Sequence, residues 1–147
     1  MDAVVKQLNK IQAEAHAFYV AFHDYHWNVK GMQFYSIHEY TEHAYDDMGD
    51  LFDAMAERAL TIGGRPLISI DEIVKAGKGA PVEAKGDYTA DAVLVNMQKA
   101  YEHLKAEFIK LEEVAEKAGD QTTVAMAQEG YAKLEKSLWM LRQALSK

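Results

Sequence analysis

The chain has no cysteine, which excludes disulfides, Cys-ligated zinc and iron–sulfur clusters and fits a reducing compartment. Proline is nearly missing too, occurring only at 66 and 81. Positive charge is in deficit. Sixteen Lys and Arg against 23 Asp and Glu leave a net charge of −7, the wrong sign for a general affinity for nucleic-acid phosphates. No apolar run approaches membrane-spanning length, and Met1-Asp2-Ala3-Val4 lacks the basic-then-apolar layout of a signal peptide. A soluble, cytoplasmic protein with no membrane partner is expected. What is present is ordinary for a globular fold: 147 residues, 49% hydrophobic and 27% charged, which predicts a single domain over 1–147.

The prolines and most glycines mark breaks between four long stretches. The first, about residues 3 to 30, carries Val4, Leu8, Ile11, Ala15, Phe18, Phe22 and Val29 on one stripe of helical period. The second opens on Ser36-Ile37-His38-Glu39, which reads as a capping box, and runs to Gly63-Gly64. Its stripe is Ile37, Thr41, Ala44, Met48, Leu51, Met55, Ala59 and Ile62. Between 65 and 88 the pattern loosens, and Ser69-Ile70-Asp71-Glu72 predicts one short helix there. A third long helix should begin near Asp87–Thr89 and end at Gly119; a fourth should start at about Asp120, with Val124, Tyr131, Leu134, Leu138, Leu141 and Leu145 inward. The turn at Gly119-Asp120 is tight enough to make the last two helices antiparallel neighbours. Two tight hairpins joined by one long crossover is an all-α, ferritin-like four-helix connectivity, here with a short extra helix in the crossover between helices two and three.

His26, His38, Asp53 and Glu57 are the candidate metal ligands. Asp53 and Glu57 are four residues apart, so both carboxylates fall on one helix face, one turn apart. Imidazole with carboxylate suits iron, zinc or manganese better than calcium or magnesium. Glu42, Asp46 and Asp50 add negative charge nearby. At about 100° per residue, Asp46, Asp53 and Glu57 lie about 160–200° from the apolar stripe of helix two, with Glu42 beside them. They point away from the core of their own bundle, whereas di-iron bundle proteins place Glu and Glu-x-x-His pairs inside, and that inner pattern is missing. A row of outward acids is also what a solvated surface looks like. If these acids bind metal, further ligands must come from another copy of the chain. His38 and Asp53 are four turns apart on one helix, yet antiparallel pairing about a two-fold axis would bring one near the other's mate. His26, at the edge of the stripe of helix one, reads from period alone more as a core histidine than as a ligand.

The run Phe22-His23-Asp24-Tyr25-His26-Trp27-Asn28-Val29-Lys30-Gly31, then Ile37-His38-Glu39, then Asp53-Ala54-Met55-Ala56-Glu57-Arg58 resembles the Dps proteins, the DNA-protection-during-starvation mini-ferritins. Gly63-Gly64-Arg65-Pro66 and Lys136-Ser137-Leu138-Trp139-Met140 resemble them as well. The resemblance implies a hollow homododecameric shell with iron-oxidising centres at two-fold interfaces. Asp53 and Glu57 of one subunit would face His26 and His38 of its mate, Glu57 closest to the iron, with Glu42 assisting a second, weaker position. Trp27, next to His26, stands where the family has a tryptophan beside the centre, as interface packing or in a redox role. Glu39 and Asp46 match the acidic cavity wall that nucleates mineral, while His43 replaces a common acid there. Asp120, with Glu129 and Glu116, matches the negatively charged pore for iron, although Asp120 is also a plain helix cap.

The implied activity is that of a ferroxidase. It oxidises Fe2+ preferentially with hydrogen peroxide, or with dioxygen, stores Fe3+ as mineral and protects against oxidative damage; zinc would compete for the site. The alternative is a nucleoid-compacting protein that shields DNA physically. Some family members bind DNA through a lysine-rich tail, but here the first residues bring only Lys6 and Lys10, both within a helical pattern, so DNA binding is expected to be absent or conditional.

Overall fold

A computed structural model describes all 147 residues, Met1–Lys147. Its elements in chain order are α1 (Asp2–Asn28), β1 (Val29–Lys30), α2 (Phe34–Thr61), α3 (Ile70–Ala76), β2 (Tyr88–Thr89), α4 (Ala90–Lys117) and α5 (Gln121–Leu145). The four long helices form the bundle, and α3 lies in the crossover from α2 to α4, packed on α1. Helices of 28 residues are roughly 42 Å long, so a crossover is needed to return the chain to the far end. No helix is long and apolar enough to cross a membrane.

The apolar stripes meet in one core. Val4, Leu8, Ile11, Phe18, Phe22 and Tyr25 of α1 pack with Met48 and Met55 of α2, Met97, Leu104, Phe108 and Leu111 of α4, and Leu134, Leu138 and Leu141 of α5. Leu51, Ile62, Tyr131 and Leu145, expected on the same stripes, are only half-buried at its margin. Gly130 sets how closely α5 approaches α4: a Cβ there would fall 2.7 Å from the Phe108 ring.

The helix ends show where local signals held. Ser69 accepts a hydrogen bond from the Glu72 N–H while the Glu72 carboxylate accepts from the Ser69 N–H, the expected capping box of α3. Thr89 caps α4 through the Ala92 N–H, and Asp120 caps α5 through the Thr123 N–H. Between the last two helices Gly119 takes φ 72°, which a side chain resists.

Two boundaries differ from expectation. The capping box at Ser36 and Glu39 does not form: α2 starts at Phe34, and the Ser36 hydroxyl donates instead to the Gln33 carbonyl at 3.1 Å. Ser36 is already inside the helix, because the turn at Gly31, where the Phe34 N–H bonds back to the Gly31 carbonyl, begins the helix earlier. Helix one stops at Asn28 rather than 30, since Val29 and Lys30 pair in parallel with Tyr88 and Thr89. That ladder, the Lys30–Asp87 ion pair at 2.8 Å and the Tyr88 hydroxyl bonded to Asp24 tie the α1–α2 turn to the start of α4.

The crossover is anchored by a buried glutamine. Gln12 on α1 donates Nε2 to the Leu67 carbonyl at 2.9 Å, and its Oε1 accepts from the Leu67 N–H at 3.0 Å. Both backbone groups of a loop residue are thereby satisfied away from water.

Candidate metal centre

The α1–α2 turn brings His26 and His38 into contact. Their rings stack at 3.6 Å between centroids and 14° between planes. Phe34 lies 5.0 Å from the His38 ring, and Tyr45 stands edge-on to His26 at 5.1 Å. Each histidine is fixed by the other's backbone. His26 Nδ1 is 2.6 Å from the His38 carbonyl, and His38 Nδ1 is 2.8 Å from the His26 carbonyl. A carbonyl only accepts, so both Nδ1 atoms carry the proton, and in the neutral ring each Nε2 keeps its lone pair. Thr41 Oγ1, 3.2 Å from His26 Nδ1, donates its own proton to the Ile37 carbonyl at 2.7 Å. Burial pushes the His26 imidazole below its ordinary pKa, which favours the neutral, metal-binding form. A ring pinned through Nδ1 with a free Nε2 is how metal-ligating histidines are oriented.

The acids lie elsewhere on the surface. Asp53 and Glu57 are exposed, as are Glu42 and Asp46, while the stripe residues Met48, Met55 and Ala59 of the same helix are buried. The outward orientation read from the period is therefore what the fold has. His38 and Asp53 are 15 residues apart on one continuous helix, roughly 22 Å along its axis, so one subunit does not bring the two pairs together. Glu39 is exposed, 3.9 Å from His43 Nε2.

Around the α4–α5 turn, Glu116 and Glu129 are exposed, and Glu129 sits 3.7 Å from Lys133. Asp120 is different. Its side chain is only 10% exposed and its carboxylate bonds Arg58 at 3.2 Å as well as both Thr123 donors. Burial opposes ionisation there, but the Thr123 hydrogen bonds and Arg58 outweigh it and hold the carboxyl below its usual range. Its charge is thus engaged inside the subunit.

One group is brought together only by the packing of α1 on α4. Glu14 of α1 meets His103 and Glu107 of α4 in the bundle, with ligand atoms mutually within 4.8 Å. The Glu-x-x-His spacing is missing, yet acids do enter the core. The available signal was position: Glu14 and Glu107 lie among Ile11, Ala15, Phe18, Leu104, Phe108 and Leu111, where a charged residue is out of place.

The chain matches the model of the ferritin family, described as a ferritin-like domain, over residues 5–147. It is 37% identical over 139 residues to the DNA protection during starvation protein of Helicobacter pylori, covering 95% of this chain and 96% of that protein. The chain belongs to the Dps family of ferritin-like proteins. Among solved structures, that of Helicobacter cinaedi CAIP superposes with a TM-score of 0.93 at 36% identity, covering 97% of this chain and 99% of the other. The Listeria innocua Dps from a zinc-soaked crystal gives 0.89 at 30% identity over 98% and 97%. The fold of this Dps chain, four long helices with a short one in the crossover, is the ferritin-like arrangement of those relatives.

Proposed function

We propose that this Dps chain is a ferroxidase and iron store, oxidising Fe2+ at centres shared by two subunits and holding Fe3+ inside a dodecameric shell. The observation that carries the reading is the division of the donors. His26 and His38 are oriented as a pair at one end of α2, Asp53 and Glu57 as a pair near the other, and a straight helix keeps them apart. Two copies related by a two-fold axis bring the pairs face to face. The surface beside the histidines fits such a contact: Trp27 is 65% exposed, Met32 98% and Tyr35 84%, large apolar groups that a second copy would cover.

Two imidazoles and two carboxylates suit iron, and the zinc-soaked relative supports a metal-binding family. Glu57 and Asp53 supply anionic oxygen that favours the ferric over the ferrous ion, and Glu42, one turn after His38, extends the site toward a second ion. With peroxide as oxidant, two ferrous ions each lose one electron, the O–O bond breaks, and two protons complete two waters. His26 and His38 bind without giving up a proton, because Nδ1–H stays on the carbonyls. Glu39 and Asp46, exposed on α2, are proposed to nucleate the mineral, and Glu116 and Glu129 to draw Fe2+ past the α4–α5 turn, with Asp120 the lesser contributor because Arg58 already balances it.

Mixing mutants tests the shared site. Asp53→Ala and His38→Ala shells should each lose ferrous oxidation, followed in the ultraviolet by stopped flow. Shells reassembled from a dissociated equal mixture should regain about a quarter of the centres, since each draws one half from either chain at random. Normal assembly with no recovery would remove the two-subunit centre.

A further inference from the structure

A second set of ligand-type side chains lies inside one subunit, on helices α1 and α4 and not on α2. His103 and Glu107 are one turn apart on α4, and Glu14 reaches them from α1. His103 Nε2 is 2.5 Å from Glu14 Oε2, and one ligand atom from each of the three lies within 4.8 Å of the others. The Glu14 side chain has no exposed surface, and its Oε1 has no hydrogen-bond partner. Lys10 Nζ approaches Glu107 Oε2 at 3.0 Å as an ion pair, but that oxygen too has no partner of hydrogen-bond geometry. Gln7 does not relieve it, because its amide donates to the Glu107 backbone carbonyl. The loop after α3 closes the site from above, where a Cβ on Gly79 would stand 3.8 Å from Glu14 Oε2.

As bare carboxylates these two oxygens would lack a donor, which is costly. Burial, with Glu107 beside it, pushes the Glu14 carboxyl up to about 9, so in the metal-free protein a proton lies between the two acids, in the place a cation would take. Two carboxylates and one imidazole converging on a point form a donor set for a borderline first-row ion. Three protein ligands leave a tetrahedral ion one position for water. Calcium would require more oxygen donors than the group offers.

We propose that Glu14, His103 and Glu107 bind a divalent transition-metal ion within a single subunit, with Lys10 as the counter-ion it displaces. The Lys10 side chain is 41% exposed, so its ammonium can swing to solvent when the ion arrives. The bound ion would cross-link α1 to α4 at a place independent of the two-fold interface. This site goes beyond the proposed ferroxidase reading and does not require it.

Co2+ is the probe. In the Asp53→Asn/Glu57→Gln double variant, which lacks the interface carboxylates, equilibrium dialysis should still find about one Co2+ per subunit, with visible d–d bands typical of low coordination number. Adding His103→Gln should abolish that binding, whereas Lys10→Gln should tighten it severalfold by removing the competing ammonium. Crystals of the unaltered protein soaked in Co2+ guard against a misfolded variant. They should show an anomalous peak within about 2.0–2.2 Å of His103 Nε2 and of a carboxylate oxygen. Absence of that peak at saturating Co2+, or Co2+ binding indifferent to His103→Gln, would overturn the site. A buried network in which Lys10 alone neutralises the acids would give weaker binding in the Lys10→Gln variant or none. Ferrous oxidation enters none of these readouts, so a failure here and a failure of the interface centre are told apart.

Discussion

At the scale of residues, environment decides what a carboxylate can do. Asp53 and Glu57 are exposed and free to meet a cation, while Asp120, in the same acidic chain, is spent on Arg58 and Thr123. Arg58 donates Nε to Thr123 Oγ1 at 2.9 Å and a second nitrogen to Asp120, so α2 and the start of α5 are held through one fork. Asp120→Asn keeps an acceptor for the α5 cap but removes the charge opposite Arg58. The expected cost is about 1–2 kcal/mol in chemical denaturation, a charged hydrogen bond reduced to a neutral one. Its effect on iron uptake should be slight. Glu129→Gln, which removes an exposed charge, should slow uptake more, and chiefly at low ionic strength where the field is unscreened. Uptake rates across a salt series check both, and a larger effect from Asp120→Asn would place the iron route at Asp120 itself.

At the scale of elements, α3 is a small helix held by electrostatics at its start. Glu72 accepts from the Ile68 and Ser69 N–H groups, each at 2.9 Å, and from Arg65 at 3.1 Å. The Ile68 backbone bond leads, followed by Arg65 and Ser69, in drawing its pKa down from 4.5 to about 2. A carboxylate with a lowered folded-state pKa stabilises above its unfolded value and loses that contribution as pH falls through the folded one. The α3 segment should therefore be firm above pH 4.5 and loosen progressively toward pH 2. Amide exchange over 68–76 in the unaltered protein and in Glu72→Gln reads this out. The difference between the two should be full above that window and vanish at its acid end; a constant difference would deny Glu72 the role.

At the scale of the whole molecule, the net charge bears on the expectation that an assembly of like chains does not hold DNA at neutral pH. Each subunit carries −7. Lys6 and Lys10 are part of α1, where Lys10 is paired with Glu107. The salt-dependent phosphate contacts that dominate DNA affinity are opposed by this net negative charge. Plasmid mobility should be unchanged by the metal-free protein near pH 8 and moderate salt. Retardation of the plasmid under those conditions would revive the nucleoid-compacting reading.

The sequence by itself determined the helices, their order and the outward acids, because each of these depends on residues within a few turns of one another. Period places Met48 and Met55 inside and Asp53 and Glu57 outside, and the Ser69–Glu72 and Asp120–Thr123 caps close locally. Family motifs pointed to His26 and His38, whereas periodicity alone favoured a core role for His26. Only the tertiary structure decided that both rings are pinned by each other's carbonyls, since that needs α1 and α2 folded against one another. It also ended α1 early by pairing Val29–Lys30 with Tyr88–Thr89, and overrode the Ser36 box by starting α2 upstream. Glu14, His103 and Glu107 needed it most. His103 lies 89 residues from Glu14 in the chain, and no local pattern joins residues at that distance; the packing of α1 on α4 does.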